Sequence, residues 1–295
     1  LVGSEMCIRD RYCIIVIEHR LDVVLPFVDK VFHVGNRNVN EITDRENYLK
    51  EQSTEIEDTC STFSGTLPAF SLADVAFAVK ERDILNGVTF DILKGSRTVL
   101  LGENGCGKTT LLRLISRLEK PTRGVILQNI DDKFGQKSKQ SKKWYKKVGV
   151  VYQNPDYQLF MQTVEKEIKF GAKSDEYADE IAEKFGIKHL YARHPQSLSE
   201  GQKRRVSIAA VVATDPEVLI LDEPTVGQDY KGLCEMVEVL NKLHEEAHNT
   251  MITVTHDKRC AAALCDKSVW IKNGKTYKTG GKELVDEFFI QIGVN

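Results

Sequence analysis

The chain has 295 residues, 41% of them hydrophobic, and a formal net charge of −2 from 41 basic and 43 acidic side chains. This length allows one large core with an appended segment, and the balanced charge argues against a nucleic-acid-binding protein. No apolar run reaches the about 18 residues that a membrane-spanning helix needs, so the sequence predicts that any membrane role depends on partners. The seven cysteines are scattered without a CxxC spacing, which favours a reducing compartment and argues against a zinc site or a disulfide framework.

Four segments are predicted along the chain. Residues 1–12 look like translated adapter sequence and are expected to be non-native. Residues 13–39 are expected to be the C-terminal remnant of an upstream copy of the domain that follows. Residues 40–68 are polar and mostly acidic, which predicts a linker. Residues 69–295 then form one complete domain.

The prediction for residues 13–39 depends on an internal repeat. A strand-like run is followed by His19 and then by Asp29-Lys30, and the same order recurs at His256 and Asp266-Lys267 with the same offset. A second strand-like stretch follows the Asp-Lys pair in both places. We therefore expect two copies of this part of the fold in one chain.

Within the complete domain, residues 69–101 predict short strands with turns at Asn86-Gly87 and Lys94-Gly95. A glycine-rich loop then separates the strand-like run 98–101 from the helix-like run 111–115. This loop reads Gly102-Glu103-Asn104-Gly105-Cys106-Gly107-Lys108-Thr109-Thr110. In this setting the pattern predicts a phosphate-binding loop whose amides face the phosphates of a nucleoside triphosphate. Lys108 is expected to reach the β and γ phosphates, and Thr109 to bind Mg²⁺.

For Cys106 and for residues 133–147, a structural role is favoured over a functional one. Cys106 is predicted to be a small filler rather than a redox sensor, because a reactive thiol needs a lowered pKa as well as its position. Residues 133–147 contain seven lysines and no acid, together with Trp144 and Tyr145. A solvated insertion is favoured over a patch for lipid headgroups or nucleic acid, because charge blocks usually lie on solvated surface.

A second anion site is predicted further along the chain. Residues 160–170 and 177–185 have helical spacing. After them, Ser199, Gly201 and Gln202 open another helix, and its N-terminal amides favour an anion.

An apolar strand over residues 218–221 follows this helix, and it ends in Asp222 and Glu223. Acidic residues at the carboxyl end of a buried strand suit one Mg²⁺ ligand and one base that polarises water.

In their order, these motifs resemble the ATP-binding cassette (ABC) family. Residues 198–202 are similar to the family's signature motif, and residues 218–223 to its Walker B strand. Gln153 matches the Q-loop glutamine, Asp229 the D-loop, and His256 the switch histidine. The resemblance implies an α/β P-loop NTPase of the ABC ATPase type. Such a fold has a β-rich N-terminal subdomain and a helical subdomain inserted between the Q-loop and the signature motif.

The resemblance also implies roles for individual residues and two cofactors, ATP and Mg²⁺. The catalytic residues would be Glu223, His256, Lys108 and Gln153. ATP would be bound by Gly102, Glu103, Asn104, Gly105, Cys106, Gly107, Lys108, Thr109 and Thr110, and Mg²⁺ by Thr109, Asp222 and Gln153. Ser199, Gly201 and Gln202 would complete the nucleotide site of a second cassette, next to the D-loop residue Asp229.

The stretch from Gln153 to Phe160 is similar to the ATPases of energy-coupling factor (ECF) importers. The D-loop form Val226-Gly227-Gln228-Asp229 and the run Lys203-Arg204-Arg205 are similar to those of ECF ATPases with two cassettes in one chain. This similarity implies uptake of a vitamin or metal ion, powered by ATP hydrolysis on the cytoplasmic face of a membrane. The implied partners are a second cassette, an integral-membrane coupling subunit and a small substrate-binding membrane subunit, with no direct nucleic acid. The alternative is a soluble tandem-cassette ATPase that acts on ribosomes.

Two positions differ from the family pattern. Glu200 stands where the signature usually has glycine, and its carboxylate would repel a triphosphate unless it points away. Val79 stands where many cassettes carry an aromatic side chain that stacks on adenine. Phe77 is considered as a replacement for that aromatic.

Overall fold

The computed structural model describes residues 15–16, 25–35, 38–52, 65–80, 82–130 and 142–293. The chain divides into two units, residues 1–55 and 56–295. The segment predicted to be non-native, residues 1–12, lies outside the described residues.

The first unit contains a hairpin and a helix. Strands β1 (Phe32–Gly35) and β2 (Asn38–Glu41) pair in antiparallel fashion, and helix α1 (Arg45–Gln52) follows them. Asp44 starts this helix because its carboxylate accepts the amide proton of Asn47 at 3.0 Å. Regular structure therefore extends into the segment predicted to be a linker, whose residues 53–64 lie outside the described part. Of the strand predicted near residue 15, only Ile15 and Val16 are described, without regular structure.

The second unit is built on a six-stranded sheet in the order β11-β10-β5-β9-β8-β7. Five of these strands are parallel, and β11 is antiparallel to β10. Every residue of β5, β8 and β9 is buried, as expected for parallel strands covered on both faces. The strands are β5 (Arg97–Leu101), β7 (Val148–Val151), β8 (Val218–Asp222), β9 (Thr250–Val254), β10 (Lys267–Lys272) and β11 (Lys275–Gly280).

The second unit also contains a three-stranded antiparallel sheet. Its order is β4-β3-β6, formed by β3 (Pro68–Val79), β4 (Arg82–Leu93) and β6 (Arg123–Gln128). The turn predicted at Asn86-Gly87 is wrong, since both residues lie inside β4. Gly87 has a φ of +94° and lies where the pairing register of β3 and β4 shifts, so this glycine serves an irregularity within a strand. The turn predicted at Lys94-Gly95 is present.

Eight α-helices are described in the second unit. The helices that contain Ile168, Ile181 and Val206 share one apolar cluster. None of the helices in the described ranges combines the length and apolar character that a membrane crossing requires. The helices are α2 (Lys108–Ile115), α3 (Lys142–Lys147), α4 (Val164–Lys169), α5 (Asp175–Lys184), α6 (Glu200–Val212), α7 (Tyr230–Ala247), α8 (Lys258–Ala263) and α9 (Lys282–Gln291).

The lysine-rich segment 133–147 is described only from residue 142 onward, where α3 begins. Trp144 is buried, and its indole N–H donates to Oε1 of Gln128 at 2.9 Å. The guanidinium of Arg117 lies 4.6 Å from the centre of its ring. Trp144 is therefore a core residue, whereas its neighbour Tyr145 is exposed.

A buried ion pair connects the starts of the neighbouring strands β5 and β10. Arg97 at the start of β5 binds Asp266 just before β10, with Nη2 2.5 Å from Oδ1. Its Nη1 also donates to Oδ1 of Asn241 on α7 at 2.9 Å. Both charged side chains are more than nine-tenths buried. Removing one partner would leave the other charge buried without compensation.

We therefore expect Asp266→Ala to lower the free energy of unfolding by about 3–5 kcal/mol. The measurement is urea unfolding followed by circular dichroism. The matched control is Glu238→Ala, which removes an exposed carboxylate paired with Lys242 and should cost less than about 1 kcal/mol. Equal losses in the two variants would contradict the structural role of the Arg97–Asp266 pair.

Candidate nucleotide site

The predicted phosphate loop connects β5 to α2, and two of its glycines have contacts that exclude a side chain. Gly102 has a φ of +155°, and a Cβ there would lie 2.5 Å from both Sγ of Cys106 and the carbonyl oxygen of Ile271. Gly107 has a φ of +105°, and a Cβ there would lie 2.5 Å from Cδ2 of Leu85. The backbone can curl tightly onto β4 and β10 only because these positions are glycine.

This loop forms one wall of a cleft of about 760 Å³. Residues 103–110 line the cleft, whereas Gly102 does not. The strands bring the predicted residues Gln153, Asp222, Glu223 and His256 to the same cleft. This convergence follows from the fold, because the carboxyl ends of parallel strands meet at one edge of a sheet. The volume is ample for a nucleotide.

Lys108 is buried and already oriented by the loop. Its ammonium donates to the carbonyl oxygens of Gly102 at 2.6 Å and Glu103 at 3.0 Å. The Sγ atom of Cys106 lies 4.0 Å from the same nitrogen. Burial raises the pKa of the Cys106 thiol despite this positive neighbour. A raised pKa lowers the thiolate fraction, which supports the interpretation of Cys106 as a filler.

The hydroxyl of Thr109 and the carboxylate of Asp222 meet at the base of the cleft. Oγ1 of Thr109 donates to Oδ2 of Asp222 at 3.4 Å, and burial raises the pKa of Asp222. A hydroxyl and a carboxylate are hard oxygen ligands, and Mg²⁺ takes few protein ligands when phosphate oxygens complete its shell. The two side chains therefore fit a Mg²⁺–nucleotide complex.

Glu223 occupies an unusual position at the end of β8. It has a φ of +53°, and its amide donates to the carbonyl of Val254 at 2.8 Å. Its carboxylate is buried, and Oε2 accepts the amide proton of His256 at 3.2 Å. Oε1 lies 3.4 Å from Nε2 of His256 but makes no hydrogen bond within the described structure. A buried oxygen with an open lone pair is suited to accept a water molecule.

The pKa of Glu223 is raised, as a general base that acts near neutral pH requires. Burial, with a further contribution from the neighbouring charge of Asp222, raises the pKa of Glu223 to about 7. The amide of His256 opposes the shift without cancelling it. A carboxylate with a pKa near neutrality is a stronger base than an ordinary glutamate and is still ionised at pH 8.

This pKa leads to an expected pH dependence. A general base must be ionised, so we expect kcat/KM for ATP hydrolysis to fall as the pH drops below about 7. Steady-state kinetics from about pH 5.5 to about pH 9, a range that spans this pKa, would test the predicted fall in kcat/KM. The residual activity of Glu223→Gln should lack this limb, which separates Glu223 from titration of the nucleotide. Glu238→Gln, at an exposed site, should keep it, and loss of the limb there would contradict the assignment.

Arg204 is a site residue for which the sequence motifs predicted no role. It is buried, and its guanidinium donates to the carbonyls of Tyr152, at 2.7 Å, and Gln153. Its charge also faces Asp222 and Glu223. Arg204 thus ties α6 to the segment that carries Gln153. The only signal in the sequence is the basic run Lys203-Arg204-Arg205.

The structure does not bring the signature residues to the cleft. Ser199 and Gln202 form a capping box at the start of α6, with the amide of Gln202 3.3 Å from Oγ of Ser199. The carbonyl of Gly201 accepts a hydrogen bond from Nε2 of Gln228 at 2.9 Å, and Asp229 caps α7. These residues form a second surface, built from two helix N-termini.

The structure shows the surroundings of Val79 and Glu200, the two positions that differ from the family pattern. Phe77 is partly buried and packs against the core, and Val79 is exposed. Neither lines the cleft, so Phe77 does not fit the adenine-stacking role, and Trp270 is the aromatic residue in the wall. Glu200 lies at the start of α6 and is paired with Lys203.

Comparison with known sequences identifies the family. The family described as "ABC transporter" matches residues 85–226. The chain is 40% identical over 221 residues to the energy-coupling factor transporter ATP-binding protein EcfA2 of Enterococcus faecalis, covering 70% of this chain and 74% of that protein. It is also 40% identical over 210 residues to EcfA2 of Bacillus subtilis, covering 68% and 76%.

Solved structures show the same fold. The structure of cbiO1 from Clostridium perfringens, part of the ABC transporter complex cbiONQ, matches with a TM-score of 0.67 at 32% identity, over 78% of this chain and 95% of that one. A dimeric ATP-binding cassette in a post-hydrolysis state, bound to ADP and Pi, matches with a TM-score of 0.64 at 26% identity, over 72% and 98%. The two EcfA2 proteins and cbiO1 share at least 30% identity with the chain over most of their length, and the chain therefore belongs to the ATP-binding cassette family of transporter ATPases.

Proposed function

We propose that this chain is the ATP-hydrolysing subunit of an ECF-type importer, attached to the cytoplasmic face of a membrane through its partners. The observation that carries the proposal is the convergence of Lys108, Thr109, Asp222, Glu223 and His256 on one cleft. The similarity to ECF transporter ATP-binding proteins supports the importer. The cargo would be a vitamin or a metal ion, as the resemblance of residues 153–160 implies.

In this proposal, the side chains in the cleft bind the phosphates and Mg²⁺ and orient the attacking water for hydrolysis. Lys108 exchanges its bonds to loop carbonyls for bonds to the β and γ phosphates, and the loop amides bind the remaining oxygens. Thr109 and Asp222, with Gln153 close by, would hold a Mg²⁺ ion, which would neutralise phosphate charge. Glu223 accepts a hydrogen bond from the attacking water at Oε1 and orients it toward the γ phosphate. His256 stabilises the charge that develops there.

The second surface has a separate role in this proposal. Ser199, Gly201 and Gln202 present the N-terminus of α6 to the nucleotide of a second cassette, with Asp229 beside them. The similarity to a dimeric cassette bound to ADP and Pi supports such pairing. ATP then holds the two cassettes together, and hydrolysis lets them separate.

Part of that second cassette is proposed to lie upstream in the same chain. Asp29 and Asp266, the starts of β2 and β11, and the starts of α1 and α9 are all separated by 237 residues. Phe32 and Val34 in β1 are 53% and 73% exposed, whereas their counterparts Val269 and Ile271 are 2% and 0% exposed. Elements that would be core in a complete cassette thus expose apolar side chains here. This supports residues 13–39 as the end of an upstream cassette, with the repeat continuing through α1.

The surface beyond the Q-loop is proposed to bind the membrane coupling subunit. Phe160 and Phe170 are 67% and 58% exposed, with their ring centres 5.4 Å apart. The buried carboxylate of Glu167 accepts the amide protons of Phe160 and Met161 at 2.9 and 2.7 Å, which fixes the loop. A fixed and exposed aromatic pair is typical of a protein-binding surface.

The test is affinity purification of the tagged chain from detergent-solubilised membranes of its source, with mass spectrometry of the bound proteins. We expect a polytopic membrane protein and a small membrane subunit. The double variant Phe160→Ala, Phe170→Ala should lose both, whereas Ile290→Ala, at an equally exposed apolar site on α9, should keep them. Recovery of ribosomal proteins without a membrane subunit would overturn the importer in favour of the soluble ribosomal ATPase. The named relatives give that alternative no support.

A further inference from the structure

Lys203 on α6 holds two carboxylates from different parts of the chain. Its Nζ lies 2.9 Å from Oδ1 of Asp156 and 3.2 Å from Oε1 of Glu200. The side chain of Lys203 is only 9% exposed, and the hydrogen bond to Asp156 raises its pKa. A buried ammonium is stable only with compensating partners. Lys203 is therefore committed to these two acids.

Glu200 makes this arrangement more than a structural ion pair. It is the first residue of α6, next to Ser199, at the helix end that the proposed function assigns to the second nucleotide. Helix amides attract phosphate there, but a free carboxylate at the same place repels it. Glycine, the family's usual residue, has no such charge. The chain therefore needs a positive group near Glu200, and Lys203 lies one turn along the same helix.

Asp156 connects this charge balance to the Q-loop. It lies in the short turn Pro155–Tyr157 that follows Gln153. Arg204, the neighbour of Lys203, binds the backbone at the start of the same segment. A movement of this turn changes the distance from Asp156 to Lys203, and so changes how completely Lys203 neutralises Glu200.

We propose that Lys203 is a positioning residue that neutralises Glu200 and links the charge of the signature surface to the position of the Asp156 turn. This inference rests on the proposed pairing of cassettes across that surface. It explains how Glu200 is tolerated there. It also connects the segment beside Phe160 with the second nucleotide through a single side chain.

The test measures ATP-driven pairing of the whole chain in a Glu223→Gln background, which retains bound ATP. Analytical ultracentrifugation with increasing MgATP gives the concentration at which half of the chains are paired. Lys203→Gln should raise this concentration about fivefold, as expected when a charge pair with a solvent-exposed carboxylate is lost. Adding Glu200→Gly to Lys203→Gln should return it to the parent value. A purely structural role for Lys203 would not be rescued in this way.

Two controls separate the outcomes. Lys242→Gln removes an exposed lysine from a helical ion pair and should leave pairing unchanged. Asp156→Asn should pair at a lower ATP concentration than the parent, because Lys203 then neutralises Glu200 alone. Parent-like pairing of Lys203→Gln, or rescue by Asp156→Asn instead of Glu200→Gly, would overturn the inference while leaving the proposed function intact. Failure of the parent to pair with ATP would overturn both.

Discussion

Replacing Glu223 with glutamine is expected to lower kcat for ATP hydrolysis by at least about 100-fold, the contribution of a positioned general base. Glutamine has nearly the same shape and fits the same buried position, but its amide is not basic. ATP binding depends on Lys108 and the loop amides, so it should be retained. The measurements are single-turnover hydrolysis and equilibrium binding of ATP on the same preparation.

The same strand offers a matched control for this variant. Glu217 stands just before β8, at the end opposite to Glu223, and pairs with Lys147 at 2.7 Å. Glu217→Gln should hydrolyse ATP at the wild-type rate. Near wild-type turnover by Glu223→Gln would show that another group polarises the water.

The second large effect is expected for Lys108→Ala, which should weaken ATP binding by about 100-fold or more. Hydrogen bonds to charged groups contribute about 1.5–3 kcal/mol each, and Lys108 can direct at least two toward phosphates. Its bonds to the carbonyl oxygens of Gly102 and Glu103 hold the ammonium within the loop. Isothermal titration with ATP measures the loss.

Lys120→Ala is the control, because Lys120 lies exposed just after α2. Thermal melting of both variants checks that the loop is not simply unfolded. An unchanged affinity of Lys108→Ala for ATP would remove Lys108 from the phosphate site.

The parts of the fold that were predictable are those in which chemistry and local structure coincide. The glycines and the lysine of the phosphate loop can bind phosphate only when the loop connects a strand to a helix, so the motif also predicts these two elements. The acids at the end of β8 were predictable in the same way, since a buried apolar strand that ends in Asp222 and is followed by Glu223 is typical of a metal or catalytic site. Such signals are contained within a few residues, so one sequence suffices to read them.

Features that depend on distant contacts were not predictable. Asn86-Gly87 has the composition of a turn, yet pairing with β3 keeps it inside a strand. Trp144 stands among lysines, yet Gln128 and Arg117 take it into the core. The role of Arg204 depends on carbonyls about 50 residues away, and nothing in its own neighbourhood indicates them.

The backbone of Glu223 has a consequence for the protein without nucleotide. A left-handed conformation in a residue other than glycine reduces conformational stability. Because the folded pKa of about 7 lies above the ordinary 4.5, the folded state binds the proton more tightly, so stability decreases as the pH rises through this interval. Stability and reactivity thus oppose each other at one residue. ATP then acts also as a folding ligand, and cells depleted of ATP would hold the least stable form of the chain.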